Sequence, residues 1–162
     1  MSEDFVKSIL AGIIATAALA LTADAQEASK RSEQAAPPAA NEPYQPSIGD
    51  IMARQQMRHI KLWFAGSGGN WPLADYELDG LKGGFETLDN LLGGRTVDDA
   101  VGAALSALEK AVDAKDRTGF SGAFAALTAG CNSCHHTLGH EFIVIQRPTS
   151  QPYSDQVLAT PK

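Results

Sequence analysis

Residues 120–139 read FSGAFAALTAGCNSCHHTLG. Phe120, Phe124, Leu127, Cys131, Cys134 and Leu138 recur with spacings of 4-3-4-3-4. That is the repeat of one face of an α-helix, and such a face turns towards a core. The two cysteines therefore continue an apolar stripe begun by two phenylalanines and a leucine. Gly139 supplies a terminator, and the start falls near Asp116 or Thr118, both residue types that cap helices.

Three more segments upstream carry similar stripes. The first helix is expected from Ser47, whose hydroxyl can cap the amide of Asp50, to about Ala65, ahead of GSGGN at 66–70. One face holds Ile48, Met52, Gln55, His59 and Leu62; the adjacent one holds Ala53, Met57, Ile60 and Phe64. The second helix is expected from Asn70 as cap, with Pro72 in the first turn, to Gly93-Gly94. Its stripe is Ala74, Leu78, Leu81, Phe85, Leu88 and Leu92, and Gly83-Gly84 weakens its middle by ~1 kcal/mol per glycine. The third is expected to start at Thr96 as cap, paired with Asp99 in a capping box, with Val97, Val101, Ala104, Leu108 and Val112 inward. Each stripe spans ~16 to 19 residues, or ~25 Å at 1.5 Å per residue. Four such stripes joined by short connections predict an all-α protein, an antiparallel four-helix bundle.

The ends of the chain read differently. In residues 1–25, Lys7 precedes an uncharged stretch from Ser8 to Ala23, and Ala23-Asp24-Ala25 offers a small-residue cleavage point before Gln26. This is the layout of a secretory signal peptide. Its sixteen uncharged residues fall short of the ~20 of a spanning helix, so membrane contact is expected only if the signal stays uncleaved. Residues 26–46, QEASKRSEQAAPPAANEPYQP, hold four prolines and no apolar period, which predicts a disordered leader. The folded domain is then 47–148, with 149–162 as a C-terminal tail. Export in this manner predicts a periplasmic protein.

The net charge of −6 and the absence of any basic cluster argue against nucleic acid as a partner. No carboxylate pair, nucleophile–base pair or phosphate loop stands out, so no enzyme is expected.

The chemistry sits in Cys131-Asn132-Ser133-Cys134-His135. The chain has two cysteines and both are here. A redox-active CxxC disulfide, in a non-haem interaction module, is one reading, but that motif belongs with alternating strands and helices. Tetrahedral zinc needs four ligands and usually a second close pair, which is lacking. CxxCH in an exported helical chain accounts for all three side chains together. The two thiols are then expected to attach one haem c covalently, with His135 as its proximal iron ligand.

A single CxxCH near the end of the last of four helices resembles the class II c-type cytochromes, the cytochrome c′ group and its Met-ligated relatives. The likeness covers roughly 47–139. RHIKLWFAGSGGNWPLADYELD, residues 58–79, also resembles a stretch of small bacterial monohaem cytochromes. The helices here read shorter than those of cytochrome c′ and the segment after Gly139 longer.

The second axial position decides function. In up-down topology the level opposite His135 on the first helix is that of Met52, and the resemblance implies the same placement for a methionine ligand. His59, seven residues on along the same face, is the rival, as ligand, distal group or hydrogen-bonded core residue. Met57 reads as packing, and an open position is the further alternative. With Met52 bound, the protein carries single electrons to and from redox partner proteins. With an open site, it binds a small gas such as NO or CO, as the cytochrome c′ resemblance implies. Homodimerisation is left open. His136 and His140 read as a solvated face rather than a metal clamp, and Arg147 as a candidate for a haem propionate. FIVIQRP, residues 142–148, reads as an extended run folding back over the bundle end or the haem edge. Trp63 and Trp71 read as plugs of the bundle end.

Overall fold

The structure is a computed structural model and describes residues 44–160. The expected signal peptide and all but the last three residues of the expected leader lie outside those residues. The described residues form four helices, all within the compact unit Gln45–Lys162. They are α1 (Ile48–Gly68), α2 (Trp71–Leu92), α3 (Thr96–Asp113) and α4 (Arg117–Thr137). No strand occurs among the described residues, and none of these helices is long and apolar enough to cross a membrane. Links of two or three residues force consecutive helices to lie antiparallel. Each helix packs on the next, and α4 returns to α1 more sparsely.

Local chemistry sets most boundaries. Ser47 and Asp50 form a reciprocal capping box at the start of α1. Asn70 caps α2 through Leu73, and Asp116 caps α4 through Thr118. Gly69, Gly93 and Gly139 take the left-handed conformation at φ 78°, 70° and 75° after α1, α2 and α4, a cheap conformation for glycine.

Two boundaries differ from expectation. α1 runs past Ala65 to Gly68. Gly66 stays within the helix, where the Phe120 ring occupies the place of a Cβ, and the left-handed residue that ends the helix is Gly69. α3 has no cap from Thr96; Arg95 holds the cap position with no side-chain bond to the helix amides, its guanidinium pairing with Asp98 instead. The carboxylate of Asp89, back on α2, instead accepts the amides of Val97 at 2.8 Å and Asp98 at 3.0 Å.

The α3 stripe is buried throughout, as its spacing predicts. On α2 the stripe is buried up to Leu88, with Leu92 half-buried. On α4 Phe120, Phe124, Leu127 and Cys134 are buried and Cys131 is half-buried, while Leu138, expected inward, is exposed beyond the last turn. The buried face of α1 is narrower. It comprises Ile51, Gln55, His59, Leu62, Ala65 and Gly66. Ala53 and Met57 face solvent. Two polar side chains of α1 settle on glycines of α2. Gln55 lies where a Gly84 side chain would be and donates to the Leu81 carbonyl at 2.7 Å. Arg58 lies over Gly80 and pairs with the buried Glu77 at 3.0 Å. Burying such groups is tolerable only because each is paired.

The α1–α2 end of the bundle is filled with rings. Trp63 lies 5.0 Å from Phe124, and Phe120 contacts Trp63, Trp71 and Phe124 at centroid distances of 6.1 to 6.3 Å. The chain beyond Gly139 then runs back along the α1–α4 seam. Ile145 pairs with Asn132, Arg147 covers Trp63, Tyr153 meets Lys61, and Thr160 reaches the Gly68 carbonyl. Packing thus extends past 148: Leu158 is buried and Ala159 sits on Gly68.

Candidate functional site

The opposite half of the bundle is hollow. Its cavity of about 790 Å³ is lined from all four helices, within the range of small-molecule and cofactor sites. α1 contributes Met52, Gln55 and His59; α2 contributes Leu81, Phe85 and Leu88; α3 contributes Val97 and Val101. α4 contributes Leu127, Cys131, Cys134 and His135, and Ile143 and Ile145 complete the wall. The five residues expected at the site, Met52, His59, Cys131, Cys134 and His135, all line this one cavity. A second, smaller cleft of about 390 Å³ lies between α2 and α3. Lys82 and Glu109 on its rim pair at 2.8 Å, and nothing there converges on a reacting group.

His135 lies in the last turn of α4 and is half-buried. Its Nδ1 is 2.8 Å from the Ile143 carbonyl oxygen. A carbonyl only accepts, so Nδ1 carries a proton, and in the neutral ring Nε2 keeps its lone pair. Among the described residues Nε2 has no hydrogen-bond partner. This is the tautomer of a metal-binding imidazole whose other nitrogen is fixed by the backbone.

Cys131 and Cys134, one turn apart, are both unpaired thiols. Burial, with the neighbouring Cys134 adding to it, pushes Cys131 up to about 11; burial raises Cys134 as well, with Asp89 contributing. Redox-active CxxC pairs sit at helix N-termini, where the dipole lowers the thiol pKa. These thiols occupy the C-terminal half of α4 and are shifted the other way, so the geometry does not favour thiolate chemistry.

His59 is buried and lies 4.4 Å from the Phe124 ring. Its Nε2 is 3.0 Å from Thr128 Oγ1, whose hydroxyl donates back to the Phe124 carbonyl at 2.9 Å. The hydroxyl proton being used, Nε2 is the donor. Burial lowers the pKa of His59 to about 4, so the ring is neutral at ordinary pH. Met52 is half-buried against the core. It lies four residues into α1, level with the end of α4 across the seam.

The other candidates go elsewhere. Met57 is exposed and off the cavity wall. Arg147 stacks on Trp63, its guanidinium 5.2 Å from the ring, rather than facing the cavity. His136 and His140 are exposed, and His140 sits at the cavity rim, edge-on to Phe142. No group of three or more His, Cys, Asp or Glu side chains converges on a bare ion among the described residues.

Sequence reasoning missed Gln55 as a bonded wall residue, Thr128 as the partner of His59, and Asn132. The last lies between the two cysteines and clamps Ile145: Nδ2 donates to its carbonyl at 2.9 Å and Oδ1 accepts its amide at 2.7 Å. A polar residue in that position carries no sequence signal of a partner thirteen residues away.

A haem fits the residues present. The cavity is apolar, two thiols one turn apart share a wall with an imidazole whose Nε2 is free, and a thioether stands at the same level on α1. Comparison with known proteins adds no assignment: no family model, no curated protein and no solved structure matches the chain.

Proposed function

We propose that this chain is an exported monohaem c-type cytochrome of the four-helix, class II kind, passing single electrons between redox partner proteins. One observation carries the reading: Cys131, Cys134 and His135 of CNSCH line the hollow half of the bundle, with His135 held by the Ile143 carbonyl so that Nε2 is free. A haem bound there supplies an iron that alternates between ferric and ferrous states.

The chain's own residues do the rest. The Cys131 and Cys134 thiols would hold the haem through two thioether bonds, each formed by addition of an S–H across one vinyl group, with no oxidant and no leaving group. His135 would hold the iron through Nε2, and Met52 would present its sulfur from α1. A neutral thioether favours the ferrous state and raises the potential. Leu81, Phe85, Leu88 and Leu127 keep water from the iron. His59 stays a wall residue, its Nε2 engaged by Thr128 and its charge suppressed by burial.

The test is haem staining of the denatured protein after expression with an export and haem-attachment system. A stained band is expected for the native sequence, and none for the Cys131→Ser/Cys134→Ser variant. A native band that does not stain sinks the reading and leaves a non-haem helical module.

A further inference from the structure

We infer that Asn132 is a positioning residue for His135, acting through the strap of residues 143–145; the inference rests on the haem reading only for its effect on the iron. The strap leaves the end of α4 through Gly139 and returns past the same helix. It forms no strand, so no ladder fixes it. Phe142 and Val144 point to solvent, 77% and 73% exposed, and contribute little burial to hold it.

Two contacts tie the strap to the site. The Ile143 carbonyl accepts from His135 Nδ1 at 2.8 Å. Two residues on, the Ile145 peptide is gripped on both polar atoms by the Asn132 carboxamide, at 2.7 and 2.9 Å. One amide side chain thereby reproduces the paired bonds of a strand neighbour. It comes from the helical turn that carries Cys131 and Cys134, so the strap's distance from His135 is set by the motif itself. Ile145 is half-buried on the cavity wall, which keeps these bonds partly shielded from water. With the clamp in place the carbonyl meets Nδ1–H, and the imidazole keeps one tautomer and one rotation. A fixed donor bond from Nδ1 also makes Nε2 more basic and favours the ferric state.

The experiment compares the full-length protein with Asn132→Ala and Asn132→Asp, the latter keeping the Oδ1 acceptor. Three readouts are taken: helicity, exchange of the Ile145 amide, and the His135 ring nitrogens by 15N NMR. In Asn132→Ala we expect native helicity, Ile145 exchange faster by roughly tenfold or more, and loss of the single Nδ1–H tautomer. In Asn132→Asp the Ile145 amide stays protected. The haem-loaded Asn132→Ala protein should have a higher midpoint potential, of a size equal to roughly a tenfold change in the ferric/ferrous ratio. An Asn132→Ala protein with unchanged Ile145 exchange and an unchanged His135 tautomer overturns the inference. Absence of haem from the native band overturns the proposed function alone, because exchange and tautomer are read without it.

Discussion

His59 Nε2 lies 3.0 Å from Thr128 Oγ1, joining α1 to α4 inside the wall of the cavity. The ring is held neutral there, with a pKa of about 4 against 6.5 in the unfolded chain. The native state therefore binds fewer protons than the unfolded state between those values. Stability is fully present above pH 6.5 and is lost as pH falls towards 4, by about 3 kcal/mol at most for a shift of this size. Urea unfolding at pH 7 and at pH 4.5 checks this. His59→Gln, which does not titrate, should flatten the difference; an equally steep pH dependence in that variant would assign it to other groups.

Met52 gives the spectroscopic prediction. On the proposed haem reading, Met52→Ala should keep the covalent haem, since both cysteines are intact, but convert a low-spin ferric spectrum to a high-spin one and open the ferrous iron to CO. The affinity of the native protein for CO should be weaker by a large factor. A native protein that is already five-coordinate and binds CO readily would support the gas-binding alternative and leave Met52 as wall packing. A low-spin spectrum surviving in Met52→Ala would move the sixth ligand to His59 or elsewhere.

The contrast between what was legible in the sequence and what was not has a physical basis. Apolar spacing reports burial, because a large side chain leaves water whichever neighbour it meets. Hence Leu78, Leu81, Phe85 and Leu88 on α2, and Phe120, Phe124 and Leu127 on α4, were readable without knowing their partners. The caps at Ser47, Asn70 and Asp116 were readable because donor and acceptor lie within three residues. Features that depend on a distant partner were not. The Phe120 ring packs on Gly66 where a side chain would collide, Gln55 is buried because Gly84 leaves room, and Leu158 docks in a segment read as a tail. The cavity belongs to the same class. Met52, His59, Cys131, Cys134 and His135 could be placed on inward faces, but not the hollow between them, since that depends on where the rings of Phe120, Phe124, Trp63 and Trp71 collect.

The α2–α3 corner separates a local from a non-local cap. Thr96 followed by Asp99 looks like a capping box, yet Asp89 accepts the Val97 and Asp98 amides. Asp89→Ala should cost about 1 kcal/mol or somewhat more, in the manner of a lost N-cap, and Thr96→Ala only a few tenths of that. Chemical denaturation of the two variants decides between the caps, and a larger loss in Thr96→Ala would restore the local one.

Gly130 sets the spacing at which α3 passes the motif-bearing turn of α4. A Cβ at this position would lie 2.5 Å from the Ala100 carbonyl oxygen and 2.9 Å from Val101 Cγ1. Both neighbours belong to a rigid helix, one of them backbone, so relief requires α3 and α4 to separate. Overpacking of this kind costs about 1–3 kcal/mol, against which the helix-propensity gain of alanine over glycine, about 1 kcal/mol, is the smaller effect. Gly130→Ala should therefore lower Tm. Because Gly130 directly precedes Cys131 and Val101 is itself a cavity wall, the same variant should broaden or shift the haem absorption bands. Gly122→Ala, on the same helix with no atom within 4 Å of the added carbon, should raise Tm slightly and leave the spectrum alone. A lower Tm with a changed spectrum in Gly130→Ala alone would tie the spectrum to the α3–α4 crossing; a gain in Tm at both would mean that α3 yields without strain.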